Sequence, residues 1–214
     1  MADLINAQDF DLGDFFSFSI ETRKEGTIDH HQPLLRFHVR AELAGRVFEE
    51  ITLDVGLERS ASTVADSSQG PDLLAFADIE PITVPLLPLE EHTAEKVHAY
   101  SRLYEHGRPS SRVKDLLDLI LIRSIAEFEA ARLQRALDRT FRQRGTHLLP
   151  RTLPSPPSSW SSAYRNAAQE IGLELVELHA GYAAAAAFLN PALGETVVGT
   201  ARWDHVTMVW RSPT

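Results

Sequence analysis

Hydrophobic and polar residues alternate at two different spacings along this chain, and the place where the spacing changes divides it. From Asp14 the segment DFFSFSI alternates, which predicts a strand, and the polar TRKEGTIDHHQPL after it predicts a connection. The runs LLRFHVRAEL and VFEEITLDVG alternate throughout around a short AGR turn, which predicts a long hairpin. From Ser60 to Pro71 small polar residues dominate and predict a loop. PDLLAFADI then predicts a helical turn, and PITVPLLPLE a strand broken by Pro85 at a sheet edge or strand end.

At about Glu90 the spacing becomes helical. Leu89, Thr93, Val97, Tyr100 and Leu103 recur at intervals of three and four, which predicts a helix over about residues 90–104 with Glu90 and Glu91 at its positive end. Lys96 lies four residues after His92 and four before Tyr100, so the three are expected to share one flank. Gly107, Pro109 and two serines stop that helix, with Ser111 as the expected N-cap of the next, whose LLDLILI face predicts core. Asp115 and Asp118 lie together near its start, and Lys114 can reach Asp118 four residues on. A surface ion pair and dipole-stabilising aspartates explain this pattern as well as a site does.

After Ser124, AEFEAARLQRALDRTFRQRG predicts an amphipathic helix ending at Gly145, with Phe128, Leu133, Leu137 and Phe141 inward. TLPSPPSSW predicts a rigid linker at 152–159, with Ser158 or Ser159 capping the next helix. Two helices follow, at about 160–171 and 175–189, and ARWDHVTMVW closes the chain as one short strand. Packing explains Trp203 and Trp210 better than base stacking does. The expected organisation is a core at 1–124 and a helical region at 125–214.

Composition narrows the chemistry. The 214 residues hold no cysteine, which excludes disulfides, thiolate metal sites and a cysteine nucleophile. No apolar run approaches the length of a membrane span and no targeting signal is visible, so a cytoplasmic location is expected. Glycine-rich phosphate loops, HExxH and GxSxG are absent. The net charge is −9, yet residues 101–151 carry 11 Lys and Arg against 6 Asp and Glu, a net of +5. Arg132, Arg135, Arg139 and Arg142 follow helical spacing within that stretch, as either a solvated face or a phosphate-backbone contact. Asp54 ends a predicted strand between apolar neighbours, where either solvation at a strand end or a functional acid explains it. His30 and His31 lack a third ligand at fixed spacing and are expected at the surface.

AEK at 94–96, followed by RVKDLLDL at 112–119, resembles the AbiEii/AbiGii toxin family, nucleotidyltransferase-like toxins of bacterial toxin–antitoxin systems that include the MenT toxins. The resemblance covers about residues 10–125 and is strongest from Leu73 to Leu121. It implies an α+β fold of the DNA polymerase beta type, a mixed sheet with helices followed by a helical C-terminal region. It also implies a nucleoside triphosphate substrate, Mg2+, a cognate antitoxin and an RNA acceptor, tRNA at its 3′ end above all. Lys96 falls on the family lysine, Arg102 on its following arginine, and Lys114, Asp115 and Asp118 on the KDxxD motif. By resemblance Lys96, Asp115 and Asp118 are catalytic, Lys96, Arg102 and Lys114 bind nucleotide, and Asp54 falls on the strand that supplies a metal-facing acid.

Family members carry a glycine-rich segment and an Asp-x-Asp strand ahead of this sheet, and Met1 falls after that point. Asp9 and Asp11 lack a preceding apolar strand and take no metal role. An apolar sheet surface is then expected to be exposed. Two readings stay open: a nucleotidyltransferase toxin, or an inactive remnant that only binds antitoxin or RNA.

Overall fold

The computed structural model describes residues 2–11, 13, 15–28, 32–56, 66–72, 75–77, 80–104, 108–109 and 112–212. Contacts divide the chain into two units, Met1–Ser62 and Thr63–Thr214.

In the first unit α1 (Ala2–Asn6) and a 3-10 turn precede three long strands, β1 (Phe16–Ile28), β2 (Gln32–Leu43) and β3 (Arg46–Gly56). They form one antiparallel sheet in the order β1-β2-β3. The register sets Ile20 opposite Val39 and Val39 opposite Ile51, so the alternating apolar residues share one face. The other face carries ion pairs, among them Arg40 with Glu42 and Glu50. The β2–β3 hairpin turns on two residues, Ala44 at φ 50° and Gly45 at φ 74°, the positive values that a type I′ turn requires. Phe48 and Ile51 remain 64% and 53% exposed.

The first expectation to fail is the polar connection after Ile20. β1 continues to Ile28, pairing Lys24 with Arg36 and Ile28 with Gln32. Ladder hydrogen bonds come from the backbone and tolerate polar side chains, so polarity alone did not end the strand. His30 and His31 lie outside the described residues.

The second unit opens with β4 (Asp66–Gln69), a 3-10 turn at Ala75–Ala77, and β5 (Thr83–Leu86). β4 occupies part of the expected loop and pairs with β5, with Pro85 opposite Ser67 in a sheet of two strands. Then come α2 (Leu89–Ser101), the two-residue strands β6 (Leu103–Tyr104) and β7 (Arg108–Pro109), and α3 (Val113–Ile125). β8 (Phe128–Glu129) leads into α4 (Ala130–Arg144), followed by α5 (Ser161–Glu170), α6 (Leu178–Leu193), β9 (Arg202–Asp204) and β10 (Val209–Arg211). α2 packs on α3 and α4, and α3 on α5 and α6, around Val97, Leu116, Leu119, Leu137 and Phe188. Residues 89–125 therefore share a core with the helices after them, and the chain divides at 62 rather than at 124.

Two further boundaries differ from expectation. α4 starts at Ala130, because Phe128 and Glu129 pair with Trp203 and Arg202. The C-terminal segment is a hairpin, not one strand, and it completes a sheet in the order β10-β9-β8. Trp203 is buried in it and donates to the Arg123 carbonyl at 2.7 Å; Trp210 donates to the Phe188 carbonyl at 2.8 Å. Both indoles are packing residues.

The stretch at 152–159 is no linker. Leu153 is 1% exposed; its N–H donates to Asn190 Oδ1 at 2.8 Å and its carbonyl accepts from the Tyr182 hydroxyl at 2.9 Å. The Pro154 carbonyl accepts from the Tyr100 hydroxyl at 2.6 Å. Ser158 and Ser159 lie inside a 3-10 turn, Ser158–Trp160, rather than capping α5. Gly145 behaves as expected: at φ 58° it ends α4 and donates to the Phe141 carbonyl.

Candidate functional site

α2 and α3 lie side by side, and their polar flanks meet over three charged groups. Asp115 and Asp118, three apart on α3, project from one face of that helix toward α2. Lys96 reaches across from α2. Its Nζ lies 3.2 Å from Asp115 Oδ1 and 2.5 Å from Asp118 Oδ2. Arg112, the cap position of α3, adds a second cation 3.7 Å from Asp115 Oδ2.

Burial makes this cluster unlike a surface ion pair. The Asp115 side chain is 5% exposed and that of Lys96 25%, whereas Asp118 is 36% exposed. Burial pushes the Asp115 carboxyl above its ordinary range, against the opposing pull of Lys96. For Lys96, burial acts to lower the ammonium, but the hydrogen bonds and charges of Asp118 and Asp115 prevail and raise it. His92, one turn earlier, is lowered by burial and then by Lys96. The result is a lysine whose charged form is favoured, held between one hidden and one accessible carboxylate.

The cluster borders a groove of ≈ 780 Å3. Lys96, Arg112, Lys114, Asp115 and Asp118 line one end. Leu117 and Leu121 of α3 and Ala163, Ala167, Glu170 and Ile171 from α5 and its end line the rest. Size and character suit a small organic anion with an apolar part.

The residues singled out from the sequence distribute unevenly. Lys96, Asp115 and Asp118 come together. Lys114 sits exposed on the groove without pairing to Asp118, whose partner is Lys96. Tyr100 leaves the expected shared flank for the core, where its buried hydroxyl meets Pro154. Arg102 caps the end of α2, where its charge adds to burial in lowering His147. The basic stripe of α4 is partly neutralised, because Arg139 pairs with Glu91 and Arg142 with Asp138. Ser111 lies outside the described residues. Asp54 belongs to the first unit, where Arg36 donates to both its oxygens at 2.6 and 2.7 Å and that bonding holds its carboxyl below the usual range. Sequence reasoning missed Arg112 and the α5 wall. The arginine sits two residues ahead of the KDxxD motif; the wall is about 50 residues further on, with no local signal.

This geometry joins a sequence match. The family model described as nucleotidyl transferase AbiEii toxin, of type IV toxin–antitoxin systems, matches residues 2–193. The chain belongs to the AbiEii toxin family. No curated protein matches it. Membership makes this AbiEii chain a nucleotidyltransferase-type toxin by family and implies an antitoxin partner. Its mixture of helices and small sheets is consistent with that family. Among the described residues no helix is long and apolar enough to cross a membrane.

The family generally uses a nucleoside triphosphate with a divalent metal. The described residues do not fit a magnesium ion. Asp115 and Asp118 both face the Lys96 ammonium, Asp54 faces Arg36, and no group of three or more metal-ligating side chains occurs among the described residues.

Proposed function

We propose that this AbiEii chain transfers a nucleotide from a nucleoside triphosphate to an RNA acceptor, a tRNA 3′ end being the expected one, in the groove between α3 and α5. The observation that supports this reading is Lys96 wedged between Asp115 and Asp118 at the charged end of that groove. Lys96 exchanges a carboxylate for a phosphate of the incoming triphosphate, with Arg112 and Lys114 beside it. Arg102, on the family position at the end of α2, is assigned to nucleotide binding by family likeness alone. Asp118, the accessible carboxylate, takes the proton of the acceptor hydroxyl as its oxygen attacks the α-phosphorus. The bond from that phosphorus to the bridging oxygen breaks, and pyrophosphate leaves with the electron pair. Asp115 keeps Lys96 and Arg112 turned toward the groove. A metal role for Asp54 requires its release from Arg36, and the steps above do not use it.

The test is transfer itself: purified chain, magnesium, each labelled triphosphate and bulk tRNA. Label on RNA is expected with the native chain and a loss of about 100-fold or more in Lys96→Ala. Asp118→Asn is expected to bind triphosphate but not transfer. A folded native chain that labels no RNA overturns the reading. The second reading, a binding module without catalysis, then stands, favoured by the exposed Phe48 and Ile51 of β3 as a surface for an antitoxin.

A further inference from the structure

We propose that the α5 wall of the groove is a nucleobase slot, and that Glu170 at its end selects bases carrying an amino group. The inference rests on the triphosphate reading above and extends it to the other half of the nucleotide.

Charge is distributed along the groove in a way that fixes the direction of such a ligand. The lining cations among the described residues, Lys96, Arg112 and Lys114, come from α2 and the start of α3, and none comes from α5. Away from them the lining turns apolar. Leu117 and Leu121, four apart on α3, face Ala163 and Ala167, four apart on α5, with Ile171 beyond. Ala163 and Ala167 are the smallest side chains in that lining. Two apolar strips with an open space between them accept a flat ring that stacks without hydrogen bonds through its faces.

Two carboxylates then call for donors, and a nucleotide has donors only outside its phosphates. Asp115 is the first. Its side chain is buried to 5% exposure, it borders the groove, and its Oδ2 has no hydrogen-bond partner among the described residues. That oxygen is shielded and faces Arg112 Nη1 from 3.7 Å, so a sugar hydroxyl, located between phosphate and base, supplies its donor as Arg112 turns to the phosphates. Glu170 is the second. It is the one groove carboxylate without a cation partner among the described residues, and it lies on the same helix face as Ala163 and Ala167. Its charge opposes phosphate and favours N–H. Adenine, cytosine and guanine offer an exocyclic amino group to a carboxylate, whereas uracil presents carbonyl oxygens on both sides of its single N–H. Glu170 therefore discriminates against uridine nucleotides.

Equilibrium binding of labelled ATP, CTP, GTP and UTP to the full chain, with magnesium, tests this. UTP is expected to bind about tenfold more weakly than the others, the worth of one hydrogen bond to a charged group. Glu170→Gln, an exposed substitution, is expected to bring UTP within about threefold of them, since the amide both donates and accepts. Ala167→Leu is expected to weaken all four alike, with Ala163→Leu as its counterpart should the first fail to fold. Lys96→Ala is expected to weaken all four through the phosphates. Equal binding of the four, or a preference unchanged in Glu170→Gln, overturns the base slot while Lys96-dependent binding leaves the triphosphate site standing. No nucleotide binding by the native chain overturns both.

Discussion

Gly181 in the first turn of α6 lies under the ring of Tyr164, and a single methyl group there tests how α5 is held. A Cβ at this position meets the Tyr164 hydroxyl, comes within 2.6 Å of its Cζ and reaches 3.0 Å from Ile120 Cδ1. Tyr164 cannot swing aside: it is fully buried, and its hydroxyl donates to the Leu175 carbonyl at 2.8 Å. Alanine gains about 1 kcal/mol over glycine in a helix. Overpacking costs about 1–3 kcal/mol, and a carbonyl stripped of its partner about 1–3 more. Gly181→Ala is thus expected to destabilise the protein by about 3 kcal/mol. Urea unfolding followed by circular dichroism reads this as a lower midpoint at unchanged slope. Tyr164→Phe alone is expected to cost about 1 kcal/mol, and the double variant less than the two combined, because the removed hydroxyl is the group the methyl displaces. An unshifted midpoint in Gly181→Ala, or strict additivity, refutes the reasoning. Since Ala163 and Ala167 flank Tyr164 on α5, the folded fraction of the alanine variant should also bind nucleotide less tightly.

Three other outcomes follow from the geometry. Lys96 is raised in the folded state, so its contribution is complete below its ordinary value of 10.5 and disappears as pH rises through the higher folded value; Lys96→Met should flatten this alkaline limb of stability. His147, hydrogen-bonded to Thr146 and Ser101 at 2.9 Å each, is lowered by burial and by Arg102, so stability present above 6.5 is lost as pH falls through its depressed value, and His147→Gln should remove that loss in thermal melts. Ala44→Asn, which places a residue tolerant of positive φ in the β2–β3 turn, should raise the unfolding free energy of the hairpin by about 0.5–1 kcal/mol, measured by urea titration.

The sequence made the local geometry legible where period and chain neighbours decide it. The β2–β3 hairpin announces itself by alternation around Ala44 and Gly45, and α2 and α3 by apolar spacing. Lys96, Asp115 and Asp118 were legible together only through the family resemblance; spacing paired Lys114 with Asp118 instead, and the packing of α2 on α3 brings Lys96 across 19 residues to Asp115. Where a distant partner decides, the pattern was silent. Phe128 and Glu129 carry helical spacing, yet Trp203 and Arg202 draw them into a sheet. Arg112 belongs to a turn without periodicity, and the α5 wall reaches the groove only through tertiary packing.

The proline-rich segment between α4 and α5 has a practical consequence. Its composition reads as a place to cut the gene, but the backbone there is fastened by Tyr100 from α2 and by Tyr182 and Asn190 from α6. It behaves as a buckle, and a protein trimmed at those prolines would leave two tyrosine hydroxyls and an asparagine amide facing nothing. Shortened versions of this toxin should therefore end outside residues 89–211 or not be attempted.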